Sequence, residues 1–223
     1  MARSTRTAKE QALREELVAV CRRLWERDLI GAAEGNVSAR LGPDRFLVTP
    51  AGVGKGNLRP AELVVVDGTG AVVKGRGRAS SELRMHLAAY AARPDAAALV
   101  HAHPLTAVAL TVAGLPPPNH LVPEASVTLG EVAVAPFATP GTEEVPRALA
   151  PLLPQHDVIL LSRHGALALG ASLAEACDRM ETLERVARVA LLARLAGRCE
   201  PLPAEAVARV VAAAAAARAG QRG

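Results

Sequence analysis

The chain has 223 residues, of which 50% are hydrophobic, 22% charged and 2% aromatic. That length can bury a core without disulfides, and the composition excludes fibrous, collagen-like and disordered classes. A formal net charge of +4 does not single out a nucleic-acid binder, because the arginines are scattered among glutamates and few aromatics are present for base stacking.

The longest unbroken apolar run, Val210 to Ala217, falls short of the roughly 20 residues a bilayer span requires, so no membrane crossing is expected. The first ten residues run into charged helical sequence with no apolar core or small-residue cleavage site. Cys21, Cys177 and Cys199 form no C-x-x-C pair and read as reduced thiols. A cytoplasmic protein is the expectation.

In chain order, residues 8 to 29 place Leu13, Leu17, Cys21 and Leu24 at helical spacing, with Gly31 as a stop. Phe46 to Thr49 and Leu63 to Val66 read as strands, the second turning through Asp67-Gly68-Thr69-Gly70 into Ala71 to Lys74 as a hairpin. A helix is predicted to start at Ser80 or Ser81 and to carry Glu82 in its first turn through Ala92.

Ala97 to His101 reads as a buried strand, and Pro104 opens a helix to about Val112. After the rigid Leu115 to Pro118 connection come a strand at Glu131 to Ala135, a helix from Thr142 to Leu153 and a strand at Val158 to Ser162. His164-Gly165 interrupts before Ala166 to Leu169, and a long helix runs from Leu173 to Leu195. Strands and helices mix without a composition break, which predicts a single α/β domain over 8–200 and an alanine-rich helical tail over 201–223.

The chemistry-bearing residues cluster in short motifs. In His101-Ala102-His103-Pro104 the alternation of a strand sends both imidazoles to one face, where they can share a metal or, equally, hydrogen-bond within a polar core. His164 also follows a predicted strand, and three imidazoles with one open position form a catalytic rather than a structural zinc arrangement. Glu82, at a helix N-terminus, could serve as a general base or simply as a capping carboxylate. His86, one turn later, reads as a core or surface histidine, whereas His120 follows the proline run closely enough to line a site. Gly35 to Ser38, Thr49 to Gly52 and Ser80-Ser81 offer N–H groups, amides and hydroxyls that could cradle a phosphate, or are ordinary turns and caps.

Taken as an ordered set, Gly35-Asn36-Val37-Ser38, Thr49-Pro50-Ala51-Gly52, Ser80-Ser81-Glu82 with Met85-His86, His101-Ala102-His103-Pro104 and His164-Gly165 closely resemble the class II aldolase/adducin family. Pro136 to Thr142 fits the same pattern, and the resemblance runs from about residue 10 to residue 195. It implies a three-layer α/β/α sandwich with a central, largely antiparallel sheet, assembled as a homotetramer with sites at subunit boundaries. By motif position, His101, His103 and His164 would hold one zinc per subunit and Glu82 would be the acid/base. Asn36, Gly52, Ser80 and Ser81 would hold the phosphate of a small sugar-phosphate substrate.

The implied activity is cleavage of a sugar phosphate of L-fuculose-1-phosphate type to dihydroxyacetone phosphate and an aldehyde through a metal-stabilised enediolate. Same-fold alternatives are a sugar-acid phosphate decarboxylase, a methylthioribulose-phosphate dehydratase and a pentose-phosphate 4-epimerase. A non-enzymatic adducin-like assembly module has no need of the three histidines and Glu82. The chain departs from the family pattern at Ala33 and Ala51, where hydroxyl residues are expected, and at Leu121, where a tyrosine is expected. With that phenol missing, a slower aldolase, use of His120 or of a residue of another subunit, or a different substrate are the alternatives. Lys55, the only lysine near a motif, is not expected to form a Schiff base.

Overall fold

The alternating valines and alanines of the middle of the chain assemble into one eight-stranded sheet in the order β4-β3-β2-β1-β5-β8-β7-β6. The computed structural model describes residues 2–220, so Met1 and the last three residues of the expected tail lie outside the described residues. The strands are β1 (Asn36–Gly42), β2 (Arg45–Val48), β3 (Val64–Val66), β4 (Val72–Lys74), β5 (Ala98–Ala102), β6 (Ala133–Ala135), β7 (Val158–Leu161) and β8 (Gly165–Gly170). Every pairing is antiparallel except that of β6 with β7.

Because side chains alternate across a strand, the sheet feeds two apolar layers. On one face Val37, Ala39, Val100, Ala168 and Leu160 pack with Leu17, Cys21 and Leu24 of α1 (Ala2–Glu26) and with Cys177, Met180 and Leu183 of α6 (Leu173–Leu195). Helices α3 (Leu105–Val112) and α4 (Pro123–Leu129) cover the rest of that face. On the other face Leu99, Leu167, Leu169, Ile159 and Val64 meet Met85, Ala89 and Tyr90 of α2 (Leu83–Ala92) and Val145 and Leu149 of α5 (Glu144–Leu149). The result is the expected three-layer α/β/α sandwich in a single domain.

Local sequence explains most of the boundaries. α1 buries Leu17, Cys21 and Leu24 along one stripe and ends just before Asp28, whose φ of 55° breaks the helix. α6 starts at Ser172, whose hydroxyl accepts the Glu175 N–H at 3.1 Å while the Glu175 carboxylate accepts the Ala171 N–H at 2.7 Å. α7 (Ala204–Gly220) buries none of its residues, runs against α4, and is tied in just ahead of its start by the Leu202 N–H donating to His120 O at 2.8 Å. Among the described residues, no helix is long and apolar enough to cross a membrane.

Four details differ from the sequence expectation. The predicted Ser80 or Ser81 start of α2 moves to Leu83, with Glu82 at the cap position rather than in the first turn, because the carboxylate turns toward the histidines instead of back to the helix. Asn36–Gly42 is a strand, paired between β2 and β5, where the sequence named no strand and Gly35 to Ser38 read as a phosphate cradle or an ordinary turn. Pro123–Leu129 adds a helix after the proline run, and the helix expected over Thr142 to Leu153 contracts to Glu144–Leu149.

Candidate metal and acid–base centre

The centre is built where the start of β1, the end of β5, the β7–β8 turn and the N-terminus of α2 meet. Asn36 and His101 are opposed in the β1–β5 register, so their side chains leave the sheet on the same face. His103 follows two residues later on that face, its N–H fixed by Leu29 O at 2.8 Å. His164 comes from the tight turn between β7 and β8. Glu82 descends onto the three rings from the head of α2.

Two glycines allow this approach. A Cβ on Gly165 would lie 2.5 Å from Ala102 O and 2.6 Å from His103 Cδ2, so only glycine lets β8 pass beneath the His101–His103 segment. Gly35 adopts a φ of +64°, and a Cβ there would lie 2.9 Å from His101 O.

The donor atoms converge. The four side chains Glu82, His101, His103 and His164 each bring one ligating atom to within 4.8 Å of all the others, a group that could hold a metal ion. His101 Nε2 stands 3.0 Å from Glu82 Oε2 and 3.2 Å from His103 Nε2, and His164 Nε2 is 3.3 Å from Glu82 Oε1. His101 is fully buried and donates its Nδ1–H to Ala166 O at 3.0 Å, which turns Nε2 toward Glu82 and His103. Glu82 Oε1 and His164 Nδ1 are buried with no hydrogen-bond partner among the described residues. Acceptors packed against one another in this way are stabilised by a cation between them, so the residues present fit a bound metal.

The electrostatics follow from burial and proximity. Burial alone would raise the Glu82 carboxyl, but contacts with His101, His164 and Asn36 outweigh it and hold the pKa down at about 2. His164 is pushed down to about 4, first by burial and then by charge at His101. His103 is lowered for the same two reasons, against the opposing pull of Glu34 and Glu82. At neutral pH the centre therefore presents a carboxylate and uncharged His103 and His164.

The residues expected around a phosphate occupy the approach to Glu82. Ser80 Oγ accepts the Glu82 N–H at 3.3 Å, and Ser81 lies exposed beside it. The loop carrying the exposed Gly52 is joined to this turn by the Pro50–Ala79 bridge and by the Ala51 N–H donating to Arg78 O at 2.9 Å. Asn36 is buried, and its Nδ2 donates to Glu82 Oε2 at 3.0 Å.

Some residues fall elsewhere. His120 turns its Nδ1 toward Ser126 Oγ at 3.3 Å, His156 meets Glu131 O, and Leu121 packs against the core layer on the α1 side. Lys55 is buried with its Nζ donating to Ala33 O at 2.9 Å and Val53 O at 2.8 Å, so it ties two site loops together. Two neighbours of the centre were not read from sequence as part of it. Glu34 Oε2 stands 3.4 Å from His103 Nδ1, and His86 reaches Asn36 from α2. The Glu82-x-x-x-His86 spacing was the available signal for the second, since residues four apart share a helix face.

Comparison with known proteins gives a consistent picture. Residues 15–191 match the Class II Aldolase and Adducin N-terminal domain family. The chain is 34% identical over 184 residues to 3-oxo-tetronate 4-phosphate decarboxylase of Escherichia coli K12, covering 81% of this chain and 86% of that protein. It is 33% identical over 179 residues to L-fuculose phosphate aldolase of Escherichia coli O6:H1, covering 80% and 82%. Among solved structures, YgbL of Klebsiella pneumoniae, whose suggested activity is aldolase, epimerase or decarboxylase, superposes with a TM-score of 0.84 at 33% identity, covering 90% of this chain and 98% of that one.

Proposed function

This chain belongs to the class II aldolase and adducin family, and from that premise we propose that it is a zinc-dependent carbon–carbon lyase cleaving a small sugar phosphate. The aldolase reading gives dihydroxyacetone phosphate and an aldehyde, as for L-fuculose 1-phosphate. The observation that carries the proposal is the convergence of one carboxylate and three imidazoles at a single point, with the Glu82 oxygens 3.0 Å from His101 Nε2 and 3.3 Å from His164 Nε2. An assembly module gains nothing from burying such a group.

His101, His103 and His164 would hold the metal, with Glu82 able to approach it. Bound there, zinc supplies Lewis-acid polarisation of the substrate carbonyl and a counter-charge for the oxygen beside the breaking bond. The protein's own part is proton handling and placement. Glu82, ionised at neutral pH with Oε2 engaged by Asn36 and Oε1 facing His164, moves a proton at the substrate. Ser80, Ser81, Gly52 and the remaining Asn36 N–H anchor the phosphate near the head of α2, where backbone N–H groups favour an anion. Lys55 takes no covalent part, since its ammonium is buried against two carbonyls.

One observation favours a second reading, decarboxylation of a 3-oxo sugar-acid phosphate. Tyr90 is the only tyrosine, and it is buried beneath Ser38 and Arg40, so the chain brings no phenol to act as an acid at an aldehyde oxygen. In a decarboxylation the carboxylate bond breaks, its electron pair moves toward the neighbouring carbonyl, carbon dioxide leaves and the carbon takes one proton. Glu82, a carboxylate at neutral pH, takes that proton from solvent and passes it to the carbon. Zinc-loaded protein incubated with ketose 1-phosphates and with 3-oxo-tetronate 4-phosphate separates the readings: both reactions leave dihydroxyacetone phosphate, but an aldehyde co-product marks the first and carbon dioxide the second. Release of neither product would reject both.

A further inference from the structure

Behind Glu82 lies a buried line of polar groups longer than a carboxylate needs for its own satisfaction. Tyr90 Oη is 2.9 Å from Ser38 Oγ, which is 2.6 Å from His86 Nδ1. His86 Nε2 touches Asn36 Oδ1, and Asn36 Nδ2 reaches Glu82 Oε2 at 3.0 Å. Tyr90, Ser38, His86 and Asn36 are all buried. Sequence spacing makes the line: Asn36 and Ser38 alternate onto one face of β1, while Glu82, His86 and Tyr90 recur every four residues down α2.

Donor and acceptor inventory gives the line a direction. An ionised Glu82 only accepts, so Asn36 must present its NH2 group to it and its Oδ1 to His86. His86 Nε2 must then carry the ring proton, which leaves Nδ1 to accept from the Ser38 hydroxyl. Ser38 Oγ, having donated, accepts from Tyr90. Burial keeps the ring uncharged, with the His86 pKa lowered to about 3. Were the proton on Nδ1 instead, Asn36 would turn its NH2 toward His86 and oppose its own oxygen to Glu82.

We propose that His86, set by Ser38 and Tyr90, is a positioning residue that fixes the Asn36 amide so that its N–H meets Glu82 Oε2 and holds the carboxylate in place beside the three histidines. Its kinetic consequence rests on the lyase reading, whereas the direction of the hydrogen bonds stands on the geometry alone. The role goes beyond a core histidine, because one proton on one ring decides whether the acid/base carboxylate meets a donor or an acceptor.

The test has two arms on the zinc-loaded full chain. Two-bond ¹H–¹⁵N spectra of ¹⁵N-histidine protein, with the His86 signals assigned by their loss in His86→Gln, report the tautomer. The Nε2–H form at pH 7 is the expected result, and the Nδ1–H form or an imidazolium overturns the inference. In the second arm His86→Phe should lower kcat about ten- to a hundredfold with zinc content retained. His86→Gln, whose amide can donate to Asn36 and accept from Ser38, should recover most of the loss. An unchanged kcat in His86→Phe, or equal losses in both variants, overturns it. If the wild-type protein turns over no substrate, the lyase reading falls and the tautomer spectrum still decides this inference.

Discussion

Asn36 and His101 face each other across the β1–β5 ladder, and both end on the same atom, Glu82 Oε2, each at 3.0 Å. One register pair of the sheet thus sets the carboxylate, and a slip of β1 by one residue would send Asn36 to the face opposite His101. The Glu82 carboxylate is met by side chains from two paired strands of the sheet.

Gly165→Ala should damage the centre without touching a polar group. The added carbon would lie 2.5 Å from Ala102 O and 2.6 Å from His103 Cδ2, so the His101–His103 segment must shift. A competitive zinc titration should show affinity lower by roughly ten- to a hundredfold, with stability lower by about 1–3 kcal/mol. Wild-type affinity in this variant would mean that the close approach does not hold the histidines.

The metal-free protein should lose stability on acidification. His86 is lowered to about 3 and His164 to about 4 from a model-compound value of 6.5, so between these limits the unfolded chain binds protons that the folded chain does not. Stability therefore rises with pH across that window and falls as pH drops from about 6.5. Glu82, held at about 2 against 4.5, adds a further loss below pH 4.5, where the unfolded carboxylate takes up its proton first. Thermal melts should give a Tm that declines steadily below pH 6.5, with a shallower decline in His86→Gln. A Tm independent of pH from 6.5 to 4 contradicts the neutral buried rings.

Lys55→Met should separate loop support from chemistry. Losing the ammonium leaves Ala33 O and Val53 O without their donor, at a cost of about 1–3 kcal/mol. The loops before Asn36 and around Gly52 then loosen, so KM for a phosphorylated substrate should rise more than kcat falls. Abolished turnover with unchanged KM would instead point to a direct chemical role for the lysine.

The proposed homotetramer has its own check. Leu105, Phe137 and Leu195 are among the large apolar side chains that a single chain leaves exposed. Sedimentation velocity should show a species of four chains, and a stable monomer that retains activity would contradict a site completed at a subunit boundary.

Much of the centre was legible because its residues obey local periodicities. His101 and His103 share a strand face by alternation, and Pro104 and Gly165 mark the ends of the segments that carry them. The long helix from Leu173 to Leu195 was equally plain from its spacing and its Ser172 cap. What local pattern could not supply were contacts between distant segments. β1 was hidden because Gly35-Asn36 and Gly42 frame it with turn residues, although Val37, Ala39 and Leu41 alternate within it. Glu34 beside His103, and the line from Tyr90 to Asn36, depend on strand register and helix docking that no single window of sequence contains.

The central claim, a metal held by three histidines beside Glu82, is tested most directly by elemental analysis of chelator-free protein alongside His101→Ala. About one zinc per chain is expected in the wild type, lost in the variant. Absence of metal in both, even after zinc is offered, or full retention in the variant, would contradict it.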